Sequence, residues 1–141
     1  MRFSIFTRSS QIDDCDQPWT FDPGSIDFVH MRYLTGSTKD WYTLFGEAFR
    51  CIRPGGYLET FEAAGYFSSD DGSVKEDSAM AQWGKFFAEG GKIIGRTFNM
   101  VDDGTQRDAL ERAGFVDIEE ANFKVRPAHI ILHGELWRLE S

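Results

Sequence analysis

Residues 25–62 read SIDFVHMRYLTGSTKDWYTLFGEAFRCIRPGGYLETFE, and the apolar period changes twice within them. Ile26 to Met31 is a short apolar run after the turn residues Asp22-Pro23-Gly24-Ser25, the pattern of a buried strand. Trp41, Leu44, Phe45, Ala48, Phe49 and Ile52 then recur at helical spacing and fall on one face. Asp40 is placed to cap the first turn of that helix, and Arg50 and Arg53 suit its carboxyl-terminal dipole. Pro54-Gly55-Gly56 stops it, and Tyr57 to Glu62 follows at once as a second strand.

Working outward, Phe3 to Ile12 is a strand candidate that ends at Asp13 and Asp14. Gly65 to Lys75 is polar and turn-rich, hence a loop. Asp77 or Ser78 caps a second helix with Met80, Trp83, Phe86 and Phe87 on one face, blurred by Gly90-Gly91 and reaching as far as Ile94. A third helix is expected from Asp102-Asp103, whose carboxylates suit a helix start, to Ala113, with Gly114 as its C-cap. Phe115 to Glu119 is a strand with Val125 as its furthest reach, and HIILHGELWRLE (129–140) is apolar enough to pair as another. Strands and helices alternating at this spacing predict an α/β sandwich with a mainly parallel sheet. In such sheets ligands bind at the carboxyl ends of the strands. Those ends are Asp13-Asp14, His30-Met31-Arg32 and Glu62-Ala63.

Composition narrows the function classes. The 141 residues are 41% hydrophobic and 15% aromatic, which fits one domain (1–141) with a core. A net charge of −8, from 23 acidic and 15 basic residues, argues against a nucleic-acid surface, which needs a basic patch. Cys15 and Cys51 form no Cys-x-x-Cys and no histidines cluster, so neither a disulfide framework nor a metal site is expected. Reduced thiols point to the cytoplasm or nucleus. No apolar run approaches the ~20 residues of a membrane span, and no membrane partner is expected. Gly90-Gly91-Lys92 is not a phosphate loop, because the first glycine of that pattern falls on Phe86.

IDDCDQPWTF (12–21) followed by residues 25–59 resembles the second half of a class I S-adenosylmethionine-dependent methyltransferase domain. SDDGSVKEDSAMAQWGKFFAEGGKIIG (69–95) and VDDGTQRDALERAGFVDI (101–118) are similar to the fungal methyltransferases related to the secondary-metabolism regulator of the velvet complex. The resemblance is strongest over 11–125, and the ordered set is more specific than any one part. It implies an incomplete Rossmann-like sandwich, S-adenosyl-L-methionine as cofactor, and methyl transfer to an unknown small-molecule or protein acceptor. Asp13 would accept a hydrogen bond from the adenine amino group, which a carboxylate suits as a pure acceptor, and Asp14 would offer its backbone N–H; the alternative is a solvated aspartate turn. His30, Met31 and Arg32 would surround the methionine end of the cofactor. His30 is also the one candidate general base, with a hydrogen-bonded core histidine as the equal alternative. Arg32 has Asp27 and Asp40 as alternative partners. Tyr33 and Trp41 are candidate pocket walls or core, and Trp83, Phe86 and Phe87 are candidate cover residues or the packing face of a plain amphipathic helix.

Two family elements do not appear: the acidic-x-Gly-x-Gly loop after the first strand, and the acid that ends the second. The family sheet order is three-two-one-four-five-seven-six, so this chain would lack the first two strands and expose an edge of the fourth, open to pairing with a protein partner. The expectation is a methyltransferase fragment that binds the cofactor weakly or not at all by itself, contradicted by micromolar binding in a calorimetric titration. The rival reading is a non-catalytic interaction module derived from a methyltransferase. The tail after Lys124 departs from the family pattern and leaves the last strands open.

Overall fold

The computed structural model describes residues 14–123 and 133–138. Asp13 and the strand expected over Phe3 to Ile12 lie outside the described residues, as does the reach from Lys124 to Val125. Seven elements follow in order: β1 (Ile26–Arg32), α1 (Trp41–Cys51), β2 (Ile52–Glu62), α2 (Ala79–Ile94), α3 (Thr105–Ala113), β3 (Val116–Ala121) and β4 (His133–Arg138).

The four strands make one sheet in the order β1-β2-β4-β3. β1 and β2 are parallel, while β4 runs antiparallel to both β2 and β3. β1, β2 and β3 therefore point the same way and β4 alone is reversed. This is the order that the resemblance implies for the last four strands, and the segment after Lys124 supplies the reversed strand between β2 and β3.

α1 forms where its spacing predicts. The Asp40 carboxylate accepts from the Tyr42 N–H at 2.9 Å and from the Thr43 hydroxyl at 2.6 Å. Those bonds, the Thr43 hydroxyl foremost, hold its pKa below the usual carboxylate range. Arg50 does more than face the helix dipole: it donates to the carbonyls of Trp19 and Phe21 and pairs with Glu47, strapping the 19–21 segment to the helix. Arg53 pairs with Asp27. One apolar face of α1, with Trp41, Leu44, Phe45 and Ala48, packs against Met31 and Leu58 of the strands and against Met100, Leu110 and Phe115. Burying side chains of this size stabilises by about 1.5–3 kcal/mol each. The Phe49 and Phe115 rings meet edge to face, joining α1 to the start of β3.

One helix boundary moves, and the blurred end of another is fixed. α3 starts at Thr105 rather than at the aspartates, because Gly104 takes a left-handed conformation and Asp103 accepts the Thr105 N–H from outside the helix. α2 continues through Gly90-Gly91 to Gly95, its left-handed C-cap. It is not a helix packed on the sheet: its only buried residue is Gly91.

The strand after α1 begins at Ile52 rather than at Tyr57, and the register with β1 slips between Ile26 and Phe28, so that residues 53–56 bulge out. Gly56 is what lets this bulge approach β1. A Cβ there would lie 2.8 Å from the Asp27 carbonyl oxygen and 2.9 Å from that of Arg53. Gly56→Ala is expected to destabilise by about 1–3 kcal/mol, as overpacking does, seen as a lower urea midpoint with unchanged slope. Gly46→Ala, mid-helix with nothing within 4 Å of the new Cβ, raises the midpoint instead.

Candidate functional site

At its carboxyl tip β1 turns away through Tyr33, whose φ of 56° is left-handed, and Gly36, at 76°. The neighbouring tip of β2 ends in Glu62, which is 1% exposed. One Glu62 oxygen accepts the Leu34 N–H at 2.9 Å. The other accepts the Thr35 N–H at 2.9 Å and the Thr35 hydroxyl at 2.7 Å. One carboxylate thus fixes the path of the chain leaving the adjacent strand. Hydrogen bonds to an ionised acceptor are roughly twice as strong as neutral ones.

Phe98, in the segment between α2 and α3, fits a slot made by glycines. A Cβ on Gly36 would meet its ring at 2.2 Å, one on Gly91 at 2.7 Å, and one on Gly65 the Phe98 carbonyl oxygen at 2.6 Å. Three segments far apart in sequence are gathered on this one residue. Between it, the strand tips and α2 lies a cavity of about 230 Å³, whose lining includes Tyr33, Thr35, Glu62, Tyr66, Phe67, Trp83, Phe87 and Phe98. The Trp83 and Phe87 ring centroids are 4.9 Å apart and those of Phe87 and Phe98 5.2 Å.

The sequence candidates divide. The turn containing Asp14 sits at this same end of the sheet: Asp16 accepts from the Lys39 N–H at 3.2 Å and lies 3.7 Å from Arg96. Asp14 itself accepts the Asp16 N–H. Met31 is 5% exposed and belongs to the core. His30 is neither in the cavity nor a core histidine. Its Nδ1 lies 2.7 Å from a Glu59 oxygen on the outer sheet face, with the side chain 45% exposed. Strict alternation along β1 produces this, since Met31 faces inward and its neighbour must face out. Arg32 pairs with neither Asp27 nor Asp40; its guanidinium stacks over the Tyr33 ring at 5.3 Å. Tyr33 walls the cavity while Trp41 is core, and of the three α2 aromatics Trp83 and Phe87 face the cavity while Phe86 is 72% exposed.

Sequence reasoning placed Glu62 at a strand tip but missed its grip on Leu34 and Thr35, and missed Phe98 altogether. Phe98 belongs to no periodic run, and glycine spacing in the chain gives no hint that three of them converge.

The Tyr66 hydroxyl donates to Asp102 at 3.1 Å. That bond first, and burial second, raises the tyrosine pKa. A raised folded value means that the stabilisation is complete below the ordinary tyrosine value of about 10 and fades as pH climbs through the raised one. Tyrosinate absorbance in a pH titration, compared with Tyr66→Phe, should show Tyr66 ionising later than a free tyrosine. Asp102→Asn should bring it back down.

Residues 5–120 match the family model described as "Methyltransferase domain". Over 114 residues the chain is 34% identical to Methyltransferase pytC of Aspergillus terreus, covering 81% of this chain and 34% of that protein. It is 29% identical over 113 residues to the Secondary metabolism regulator LAE1 of Cochliobolus heterostrophus, covering 79% and 36%. The chain spans about a third of the length of the curated relatives it matches. A SAM-dependent methyltransferase structure from Methanosarcina mazei superposes over 92% of this chain and 66% of that one, with a TM-score of 0.56 at 17% identity; that likeness is one of fold. The parallel strands with a reversed strand between β2 and β3 are thus a Rossmann-like methyltransferase arrangement, and the chain belongs to the methyltransferase domain family.

Proposed function

We propose that this chain supplies the adenine-side and acceptor-side parts of an S-adenosyl-L-methionine-dependent methyl-transfer site, acting on a small-molecule or protein acceptor. The observation that carries the reading is the aromatic cavity at the carboxyl tips of two parallel strands, the place where α/β sheets bind ligands, in a chain of methyltransferase family.

The residues present fit the cofactor by their chemistry. The aspartate turn is tied by Asp16 to Lys39 and Arg96 beside the loop that leaves β1. Asp14 lies in that turn, and the reading makes it and Asp13, which precedes it in sequence, partners of the adenine ring, Asp13 through its carboxylate and Asp14 through its backbone N–H. The backbone of His30, Met31 and Arg32 runs to the same tip and borders the methionine end. When bound, the cofactor supplies a sulfonium-activated methyl group. The chain's own task is then to hold an acceptor in line and exclude water, and holding reactants in place provides much of the acceleration. The Thr35–Glu62 hydrogen bonds fix the loop at one wall of the cavity, and Trp83 and Phe87 line it from α2. No general base is assigned within the cavity. Among the described residues no helix is long and apolar enough to cross a membrane. The reading carries with it a cytoplasmic or nuclear location, supported by Cys15 and Cys51, which are both free thiols.

Ultraviolet cross-linking of isotopically labelled S-adenosylmethionine to the 141-residue chain, followed by peptide mapping, tests this. Label is expected on the segments around Asp14 and Tyr33, reduced roughly tenfold by Asp13→Ala, as loss of a hydrogen bond to a charged group predicts, and unchanged by Glu111→Ala on α3. Label spread evenly over the chain, or insensitive to Asp13→Ala, overturns the proposal and favours the interaction-module reading.

A further inference from the structure

α2 carries two apolar rows, and only one of them meets the rest of the chain. Gly84, Phe87 and Gly91 form the inner row: a Cβ on Gly84 would lie 2.7 Å from Tyr66, one on Gly91 2.7 Å from the Phe98 ring, and the Phe87 ring stacks on Phe98. Ala79, Trp83, Phe86, Gly90 and Ile93 form the second row, at spacings of four, three, four and three. That alternation is the spacing of a helix–helix seam. The second row is bare: Phe86 is 72% exposed, Ile93 87% and Trp83 55%, with Ile94 beside them at 60%. Single exposed apolar residues are ordinary, but a continuous strip of large ones on one helix marks a contact surface.

The sizes along the seam select its occupant. Ala79 and Ile93 stand seven residues either side of Phe86, while Trp83 comes three before it and Gly90 four after. Laid antiparallel on an identical helix with Phe86 against Phe86, each Trp83 ring comes over Gly90 of the second copy, where a Cβ would meet nothing within 4 Å. Each Ala79 comes against Ile93. Large faces small on both sides of the central pair, as interdigitated packing requires. A parallel pair would instead set Trp83 on Trp83 and Gly90 on Gly90. The flank agrees. Gln82 and Glu89 are exposed along the edge of the seam, and the antiparallel register brings each Glu89 carboxylate nearly level with the Gln82 amide of the second copy, an acceptor facing a donor. Both have capacity to spare: Glu89 holds only Lys92, and the Gln82 amide gives one N–H to the Glu76 carbonyl.

We infer that α2 pairs with α2 of a second copy of this chain, antiparallel about a two-fold axis at Phe86. Such an isologous contact closes on itself and leaves no seam open. Covering the strip on both copies removes on the order of 1,000 Å² from solvent, the lower limit of a specific interface, so the pair is weak and forms in the micromolar range. A membrane surface suits the strip less. An interfacial helix has a basic polar face, whereas α2 offers Lys85 and Lys92 with Glu89 between them, on a chain of net charge −8. The inference goes beyond the methyl-transfer reading. Phe86 and Ile93 are not among the residues that line the cavity, and pairing needs no cofactor, so the two stand or fall separately.

Sedimentation equilibrium of the full 141-residue chain is expected to show monomer and dimer exchanging in the micromolar range. Phe86→Glu and, separately, Ile93→Glu should each raise the dissociation constant at least about tenfold, as loss of a central interface residue does. Both side chains are exposed, so the urea midpoint of the monomer holds. Gly90→Leu should weaken the pair as well, because it fills the seat of the Trp83 ring, even though leucine is the better helix former. Phe28→Glu, on the outer sheet face, should leave pairing intact. Register is read by disulfide formation in a Cys15→Ser background, since Cys15 is exposed and Cys51 buried: Ala79→Cys copies should cross-link with Ile93→Cys copies, and neither with its own kind. A dimer that ignores Phe86→Glu and Ile93→Glu, that tightens with Gly90→Leu, or that cross-links Ala79→Cys to itself overturns the inference. So does a chain that stays monomeric throughout the micromolar range, which hands the strip to a different polypeptide, or to a lipid surface where that monomer floats with phosphatidylcholine vesicles.

Discussion

A single carboxylate at the end of β2 governs the geometry of the site. Glu62 accepts three hydrogen bonds from Leu34 and Thr35, and those residues are the first beyond the turn out of β1. Without that acceptor two part-buried backbone N–H groups would lose their partner, and the loop would take another course. Tyr33 keeps its left-handed backbone because the chain on either side is pinned: its own N–H bonds the Phe61 carbonyl, and its successors bond Glu62. Such a conformation in a bulky residue persists only where the surroundings over-determine it. The turn carries the Tyr33 ring to the cavity wall and brings Gly36 onto Phe98.

Much of this was legible in the sequence where one period dominates. The face Trp41, Leu44, Phe45 and Ala48 can belong only to a helix over a sheet, and Asp40 and Pro54 bound it from either side. The strand tips, and with them the end of the sheet where folds of this kind bind ligands, followed from parallel topology. Alternation along β1 also held the information that His30 faces away from Met31, although adjacency at a strand tip suggested that both served one ligand. What could not be read is contact between segments without a period of their own. Phe98 lies in a turn-rich stretch, and the glycines that receive it stand at 36, 65 and 91. Each looks locally like a turn, a loop or a helix end, yet Gly91 lies inside α2 because only a residue without Cβ admits the Phe98 ring and the Arg96 carbonyl. The register slip at residues 53–56 was hidden for a similar reason: Pro54-Gly55-Gly56 reads as a stop, and the close approach to Asp27 that makes it a bulge is a fact of the neighbouring strand.

The resemblance and the fold meet most closely in β4. Its pairing between β2 and β3 is a long-range event, settled by two antiparallel ladders rather than by local propensity. It joins β3, the terminal strand on that side, to the parallel pair. β1, by contrast, pairs on one side only among the described residues, and its outer face carries Phe28, half exposed, beside the His30–Glu59 pair.

Stability and recognition occupy different parts of the molecule. Phe45, Leu44, Leu58 and Leu110 are fully buried between the sheet and the α1–α3 layer, where large-to-small changes typically cost 2–5 kcal/mol. α2 buries one glycine and touches the rest through its rings and through Phe98. An element with so little buried surface contributes little to global stability and opens at low free energy. Trp83 and Phe87 pack on each other and, through Phe87, on Phe98, so changing them reshapes the cavity well before it alters the fold.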